Sequence, residues 1–285
     1  MFAGFTQRPN FGMGSGTVSV PSAFPTRPIG QLGNFNTYAI NFITAANITD
    51  QTQQVAINQL SYDLVNSGLM DKMYAVYPFV GGTASSHQFN LKDPRDADKA
   101  YRLTFNGGWT HSSTGAQPNG TNGYANTYLN ALSVLPATNL HLSFYSRSTT
   151  VGTTFEVQCD NTTGFVQLAP GRNMASGGNV TGGGVVNFTT TSTALGYWIH
   201  SKTDNSTRFG FRNGVSASVV TTTLNTTAYA NLNLFISCRN ASGSPTSYSS
   251  KECAFVTIGQ GLSQTECATL YTIVQNFQTI LGRQV

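Results

Sequence analysis

TRFGFRNG, residues 207–214, is the stretch that decides the fold. Phe209 and Phe211 alternate with Arg208, Gly210 and Arg212, so one face of the run is apolar. Asn213-Gly214 supplies the two positive-φ positions of a type I′ turn. The pattern predicts a tight antiparallel hairpin. Runs of the same kind recur on both sides of it: YAVYPFV, HQFNL, AYRLTFNG, HLSFYSR, TTFEVQC, GFVQLA, VVNFTTT, GYWIHSK, SASVVTTTL, LNLFISCR and CAFVTIG. Turn residues separate them, among them Gly81-Gly82, Asn106-Gly107-Gly108, Asn119-Gly120 and Asn240 to Gly243. Short strands punctuated in this way predict a mainly β protein, an antiparallel sandwich or jelly roll, over residues 76–261.

The flanks read differently. YAINFITAAN, residues 38–47, reads as a short strand. A helix then starts near Asp50, which has capping-box spacing to Gln53. Ile57, Leu60 and Leu64 share one face, and Gly68 is placed to end the helix. Residues 38–75 are therefore expected as a strand–helix entry segment. Residues 262–285 read as a C-terminal helix, with Leu262 as staple and Ser263 with Glu266 as capping box. Its apolar stripe is Cys267, Leu270, Tyr271, Val274, Phe277 and Leu281, and Gly282 closes it. Residues 1–37 carry four prolines, six glycines, two arginines and no acid. Such a segment cannot bury a core of its own, and its spaced aromatics predict an extended arm that orders only against another surface.

Composition narrows the function classes. Only 9% of residues are charged, against about 25% in average soluble domains. Aromatic residues make up 11%, so the chain is not of the disordered type. The net charge of +4 is scattered and forms no basic stripe, which argues against nucleic acid. No leader of charged then apolar residues opens the sequence, and no apolar run reaches 18 residues. The expectation is synthesis in a cytosol without membrane insertion. Cys159, Cys238, Cys253 and Cys267 form no CxxC pair, so they are expected as buried free thiols. A Cys238–Cys253 bridge is the alternative.

Two long strings carry a resemblance. VYPFVGGTASSHQFNLKDPRDADKAYRLTFNGGWTHSSTGAQPNGTNGYANT, residues 76–127, resembles a segment of many tailed-bacteriophage structural proteins. CAFVTIGQGLSQTECATLYTIVQNFQTILGRQV, residues 253–285, resembles their ending. The resemblance implies a concanavalin A-like lectin/laminin G jelly roll. It further implies a non-enzymatic virion protein, a head fibre, capsid decoration or tail appendage, made in a bacterial cytoplasm and displayed on the particle surface as a homo-oligomer. Its N-terminal arm would bind other virion proteins, with Phe2, Phe5, Arg8, Phe11, Phe24 and Arg27 as anchors. The alternative is an adhesin for host surface glycan.

Individual residues give three chemical candidates. A glycan site would use Trp109, His111, Asn119, Asn122 and Tyr124, because aromatics beside amides can pack on and hydrogen-bond a sugar. The bland alternative is that Trp109 and Tyr124 pack the sandwich edge. Asp93, Asp96 and Asp98 are weak candidates for a hard cation. Lys92, Arg95 and Lys99 interleave with them, so a salt-bridged turn is the simpler expectation and no metal or cofactor is assigned. A hydrolase needs two carboxylates at fixed separation. Glu156 and Glu252 lack that pattern and are expected as surface or turn acids, so no catalytic residue is assigned. His141 and His200 are expected as hydrogen-bonded strand histidines.

Overall fold

The computed structural model describes residues 35–172, 174–179, 185–188, 192–221 and 228–285. The anchor candidates Phe2, Phe5, Arg8, Phe11, Phe24 and Arg27 lie outside the described residues.

The first elements are α1 (Thr37–Ala45), α2 (Gln51–Asn66), α3 (Leu69–Lys72), β1 (Met73–Tyr77) and α4 (Ala84–His87). Next come β2 (Thr104–Asn106), β3 (Trp109–Ser112), β4 (Gly115–Pro118), β5 (Tyr124–Asn130), α5 (Ala131–Val134) and β6 (Leu140–Ser146). They are followed by β7 (Val157–Asp160), β8 (Gly164–Ala169), β9 (Met174–Asn179), β10 (Val185–Asn187), β11 (Gly196–Lys202), β12 (Arg208–Arg212) and β13 (Val215–Val220). The last are β14 (Asn233–Ile236), β15 (Arg239–Ala241), β16 (Ser244–Thr246), β17 (Cys253–Gly259) and α6 (Gln264–Ile280).

Among the described residues the strands form two sheets. The first runs β13-β12-β11-β6-β17-β4-β3, with β1 also paired to β17. The second runs β10-β9-β8-β7-β14-β5-β2, with the β15–β16 hairpin attached at β7. Every strand pair is antiparallel except β15 with β7. The mainly β sandwich is therefore present, with helices on its flanks.

Period-two burial explains the layers. In β6, Leu140, Leu142 and Phe144 face the second sheet, where they join Trp198, Val256, Ile258, Val166 and Leu168. Tyr145 faces the other way, into a cluster with Tyr197, Phe255, Leu60, Leu270 and Phe277 under the helices. Both β6 and β17 are buried along all seven residues, because one face meets a sheet and the other meets α2 and α6 or polar partners. His141, on the helix-side face, donates from Nδ1 to Gln260 O at 2.6 Å, and its Nε2 lies 3.0 Å from Thr257 Oγ1. His200 Nδ1 sits 3.3 Å from Phe209 O. Both are strand histidines with hydrogen bonds, as expected.

The hairpin of β12 and β13 has the anticipated geometry. Asn213 has φ 50° and Gly214 φ 76°, and Arg212 pairs with Val215 across the turn. Asp50 caps α2 by accepting from Gln53 N at 2.8 Å, and Gly68 ends it at φ 71°. Ser263 and Glu266 form the reciprocal capping box of α6, and Gly282 follows its end at φ 65°. All four cysteines are buried and unbridged, so the Cys238–Cys253 alternative does not form.

Three expectations are corrected. Residues 38–47 are not a strand: α1 covers Thr37–Ala45, capped by Asn36, which accepts from Tyr38 N at 2.9 Å. Ala39, Phe42, Ile43 and Ala46 recur at helical spacing and bury that face in the helical cluster. The entry segment is thus helical, and Phe35 and Asn36 already belong to the body: Phe35 packs on the cluster and Asn36 N donates to Asn58 Oδ1 at 2.8 Å. The sandwich begins at Met73 rather than 76. HQFNL is not a strand either: His87 ends α4, whose start is a Thr83–Ser86 capping box, and only an isolated Asn90–Asp93 bridge follows.

No helix among the described residues is long and apolar enough to cross a membrane.

Candidate functional site

The Asn/Gly stretch after β2 folds into a rim at one end of the sandwich. Asn119 Oδ1 accepts from Thr121 N, Asn122 N and Gly123 N at 3.0, 3.1 and 3.1 Å. Its Nδ2 donates to Asn122 Oδ1 at 2.8 Å, and that oxygen also accepts from Gly108 N at 2.9 Å. Two turns, 106–108 and 119–123, are thereby locked together. The packing needs glycine: a Cβ on Gly107, at φ +70°, would overlap the Asn122 carbonyl, and one on Gly123 would overlap the Gly108 carbonyl.

The aromatic side chains of the rim form one cluster. Trp109 Nε1 donates to Asn106 O at 3.1 Å. The Trp109 ring meets Phe105 edge-on at 5.1 Å and lies near-parallel to His111 at 6.0 Å. Phe105 meets His111 at 4.6 Å, His111 meets His87 at 5.0 Å, and His87 meets Phe79 at 5.6 Å. Phe105 and Trp109 pack on the core between the sheets, so the bland reading of Trp109 is part of the truth. Trp109 and His111 nevertheless stay half-buried, on a rim with exposed Asn119, Thr121 and Asn122, while Thr110 points to the opposite face of β3.

Of the five glycan candidates, the fold gathers Trp109, His111, Asn119 and Asn122. Tyr124 departs: its ring packs on Phe235 at 4.8 Å and Tyr248 at 6.5 Å, on the second sheet. Sequence reading missed Phe105 and His87. The Thr83–Ser86 capping spacing was the signal that could have placed His87 at a helix end.

Burial controls the charge of the cluster. It pushes the His87 imidazole down to about 3, aided by His111 and by the Arg283 guanidinium. Burial also lowers His111. Both rings are neutral at pH 7.

The acids named from the sequence are engaged elsewhere. Asp93 pairs with Arg95 at 2.5 Å, and Arg102 holds Asp96 at 2.8 Å and Asp98 at 2.9 Å. These three carboxylates are salt-bridged, but by Arg95 and Arg102 rather than by Lys92 or Lys99, Lys92 instead donating to Met70 O. No group of three metal-ligating side chains occurs among the described residues. Glu156 is not a surface acid. It is fully buried, 2.8 Å from the buried Lys251 ammonium, and also accepts from Ser249 Oγ and Thr154 Oγ1 at 3.1 Å. Glu252 is partly buried, accepts from Thr114 Oγ1 at 2.5 Å and faces Arg147 at 3.6 Å. A separate groove of about 760 Å³ beside α1 is lined by Tyr38, Asn41, Lys92 and Arg95, and includes none of the glycan candidates.

No family model matches the chain, and no curated protein matches it. Solved structures with a distantly similar β-sandwich include domain 4 of AbnA, a GH43 extracellular arabinanase from Geobacillus stearothermophilus, in complex with arabinotriose. It is 16% identical with a TM-score of 0.48, covering 70% of this chain and 98% of that one. The binding domain of Paraclostridial Mosquitocidal Protein 1 is 11% identical with a TM-score of 0.47, over 71% of this chain and 52% of that one. A botulinum neurotoxin type C structure, whose cell entry depends on two ganglioside molecules, is 9% identical with a TM-score of 0.46, over 74% and 53%. The chain thus spans about half the length of the two toxin chains. At this distance, no ligand or role passes from them to this protein.

Proposed function

We propose that this chain is a non-catalytic recognition module that binds carbohydrate at the rim of residues 106–123. One observation carries the reading: half-buried Trp109 and His111 share a rim with exposed Asn119, Thr121 and Asn122, on a frame that Asn119 and Asn122 lock together. Sugars offer apolar C–H faces and hydroxyl edges, which such a surface can meet with ring packing and hydrogen bonds. A preformed frame loses little conformational entropy on binding. The non-catalytic part rests on Glu156 being committed to Lys251 and Glu252 to Thr114 and Arg147.

The test is retention of the protein on immobilised polysaccharides and a glycan array, with Trp109→Ala as comparison. Trp109 also packs on the core, so a lower melting temperature is expected. Loss of retention at a temperature where the variant is still folded is the expected outcome. Equal retention by the variant would overturn the rim as the site, and polysaccharide turnover abolished by Glu252→Gln would overturn the non-catalytic reading.

The setting rests on a separate observation, the resemblance of residues 76–127 and 253–285 to tailed-phage structural proteins. In that setting the module is displayed on a virion, in several copies, with residues 1–34 as its attachment. Multiple copies would convert weak sugar contacts into durable adhesion. Deleting residues 1–34 should leave the sandwich folded and abolish incorporation into particles. Normal occupancy of the truncated protein on particles would overturn the attachment role.

A further inference from the structure

A line of hydrogen bonds crosses the aromatic cluster and fixes where its protons sit. Gly82 N–H donates to His87 Nε2 at 3.2 Å. A backbone amide only donates, so His87 Nε2 is the bare nitrogen and the ring hydrogen of neutral His87 is on Nδ1. His87 Nδ1 lies 2.9 Å from His111 Nδ1. Two ring nitrogens this close share a single hydrogen, and His87 supplies it. His111 Nδ1 is therefore the acceptor, and the hydrogen of His111 is on Nε2. That Nε2 takes no partner among the described residues, and it is not one of the buried atoms left without one. It is open to solvent beside Trp109.

The arrangement has no slack. His87 is 1% exposed and lies against Phe79 and His111, within the electrostatic reach of the buried Arg283. The elements around the pair are the segment after β1, α4, β2, β3 and the chain end after α6. They present Phe79, Phe105, Trp109 and the Arg283 cation, and Arg283 is the charged group acting on His87. A further proton on the pair would have to displace the Gly82 bond or put two N–H groups nose to nose. Either costs a buried hydrogen bond.

We infer that His111 presents a fixed Nε2–H donor to the ligand of the rim, and that His87 is the positioning residue that holds its tautomer. The inference rests on the carbohydrate reading and narrows it. A neutral ring with its lone pair turned inward can only donate outward. The favoured ligand offers an acceptor at that point: a hydroxyl, a ring oxygen or an acetamide carbonyl. A polymer of free amino sugars, offering an ammonium there, is disfavoured.

Two measurements on the full chain test this. The first is long-range proton–nitrogen NMR of histidine-labelled protein at pH 7. The expected spectrum has His87 as the Nδ1–H form and His111 as the Nε2–H form. An Nδ1–H or doubly protonated His111 would overturn the inference. The second is binding of neutral polysaccharides, N-acetylated polymers and free-amine glucosamine polymer by four proteins: wild type, His111→Phe, His87→Phe and His87→Gln. His111→Phe should weaken binding about three- to tenfold, the worth of one neutral hydrogen bond. His87→Phe frees the tautomer and should weaken binding by a smaller factor, because only part of the population is then competent. Gln at position 87 can accept from Gly82 and donate to His111, so it should restore affinity. Binding unchanged in His111→Phe would overturn the donor role alone. Absence of binding by wild type to every glycan would overturn the carbohydrate reading and the donor role with it, whereas the NMR result would still decide the tautomer. Should His87→Phe fail to fold, the NMR spectrum and the Gln variant carry the test.

Discussion

Arg283 donates to the main-chain carbonyl of Pro78 at 2.7 Å, across a sequence separation of 205 residues. The same guanidinium donates to Phe79 O, Ser113 O and Ala254 O, and its Nε donates to Gln278 Oε1 at 2.6 Å. No carboxylate faces it in these bonds. Burial lowers its proton affinity to a pKa of about 9, yet it remains charged at pH 7 because five acceptors surround it. Arg283→Ala should cost about 3–5 kcal/mol, since it strands several buried carbonyls at once. Urea denaturation measures this, and a loss below about 1 kcal/mol would show that water replaces the guanidinium freely.

A second prediction concerns Glu156 and Lys251. Removing one partner leaves a buried charge, so Lys251→Met should destabilise by about 3–5 kcal/mol. The double variant with Glu156→Gln should recover much of that loss. Additive losses in a double-mutant cycle would mean the two groups are not coupled.

Low pH should weaken the fold. Burial lowers His87 to about 3, and His141 and His200 to about 4, against about 6.5 for a free imidazole. The unfolded chain therefore binds more protons than the folded one between these values. Stability is full above pH 6.5 and falls as the pH drops through 6 toward 3–4, by about 1.4 kcal/mol per pH unit for each such group. Melting temperature against pH checks the sign. A protein more stable at pH 4.5 than at pH 7.5 would refute the buried neutral rings.

The rim should depend on its glycines. Gly107→Ala forces the Asn122 backbone away and strains a positive φ, so rim amides should exchange faster while the core melts nearly as before. Hydrogen exchange at residues 106–123 is the readout. Unchanged protection there would refute the interlock.

Leu270→Ala, at a fully buried position of α6, should cost about 2–5 kcal/mol in the same urea assay. A change below about 0.5 kcal/mol would contradict the packing of that helix.

Much of this architecture was legible in sequence where a local rule and burial agreed. Asp50, Gly68, Ser263 and Glu266 mark helix ends by their own hydrogen bonds, and Asn213-Gly214 marks a turn that few other residues permit. YAINFI misled because its β-branched and aromatic residues suit strands, while the helical burial of Phe42 and Ile43 depends on α2, which is remote in propensity terms. β3, β4 and β5 hide in Asn, Gly and Thr because their partners, not their side chains, hold them. At the rim, Trp109 and Asn119 could be named from residue type. His87 and Phe105 could not, since the bond between His87 and His111 joins an α4 end to a strand 24 residues on. Glu156 looked like an ordinary acid because its counter-ion, Lys251, comes from a loop beyond the second sheet.

The position of β17 bears on how the protein is made. It pairs with β6 along one side and with β1 and β4 along the other, with Val76 opposite Thr257. A ribosome builds the two halves of the first sheet before the strand that joins them. At about 5–20 residues per second, β1 waits roughly 10–40 s for its neighbour to be synthesised. During that interval its apolar edge and the underside of α2 have no lasting cover. Closure of this sheet therefore waits for residues 253–259, long after β1 and β6 have been made.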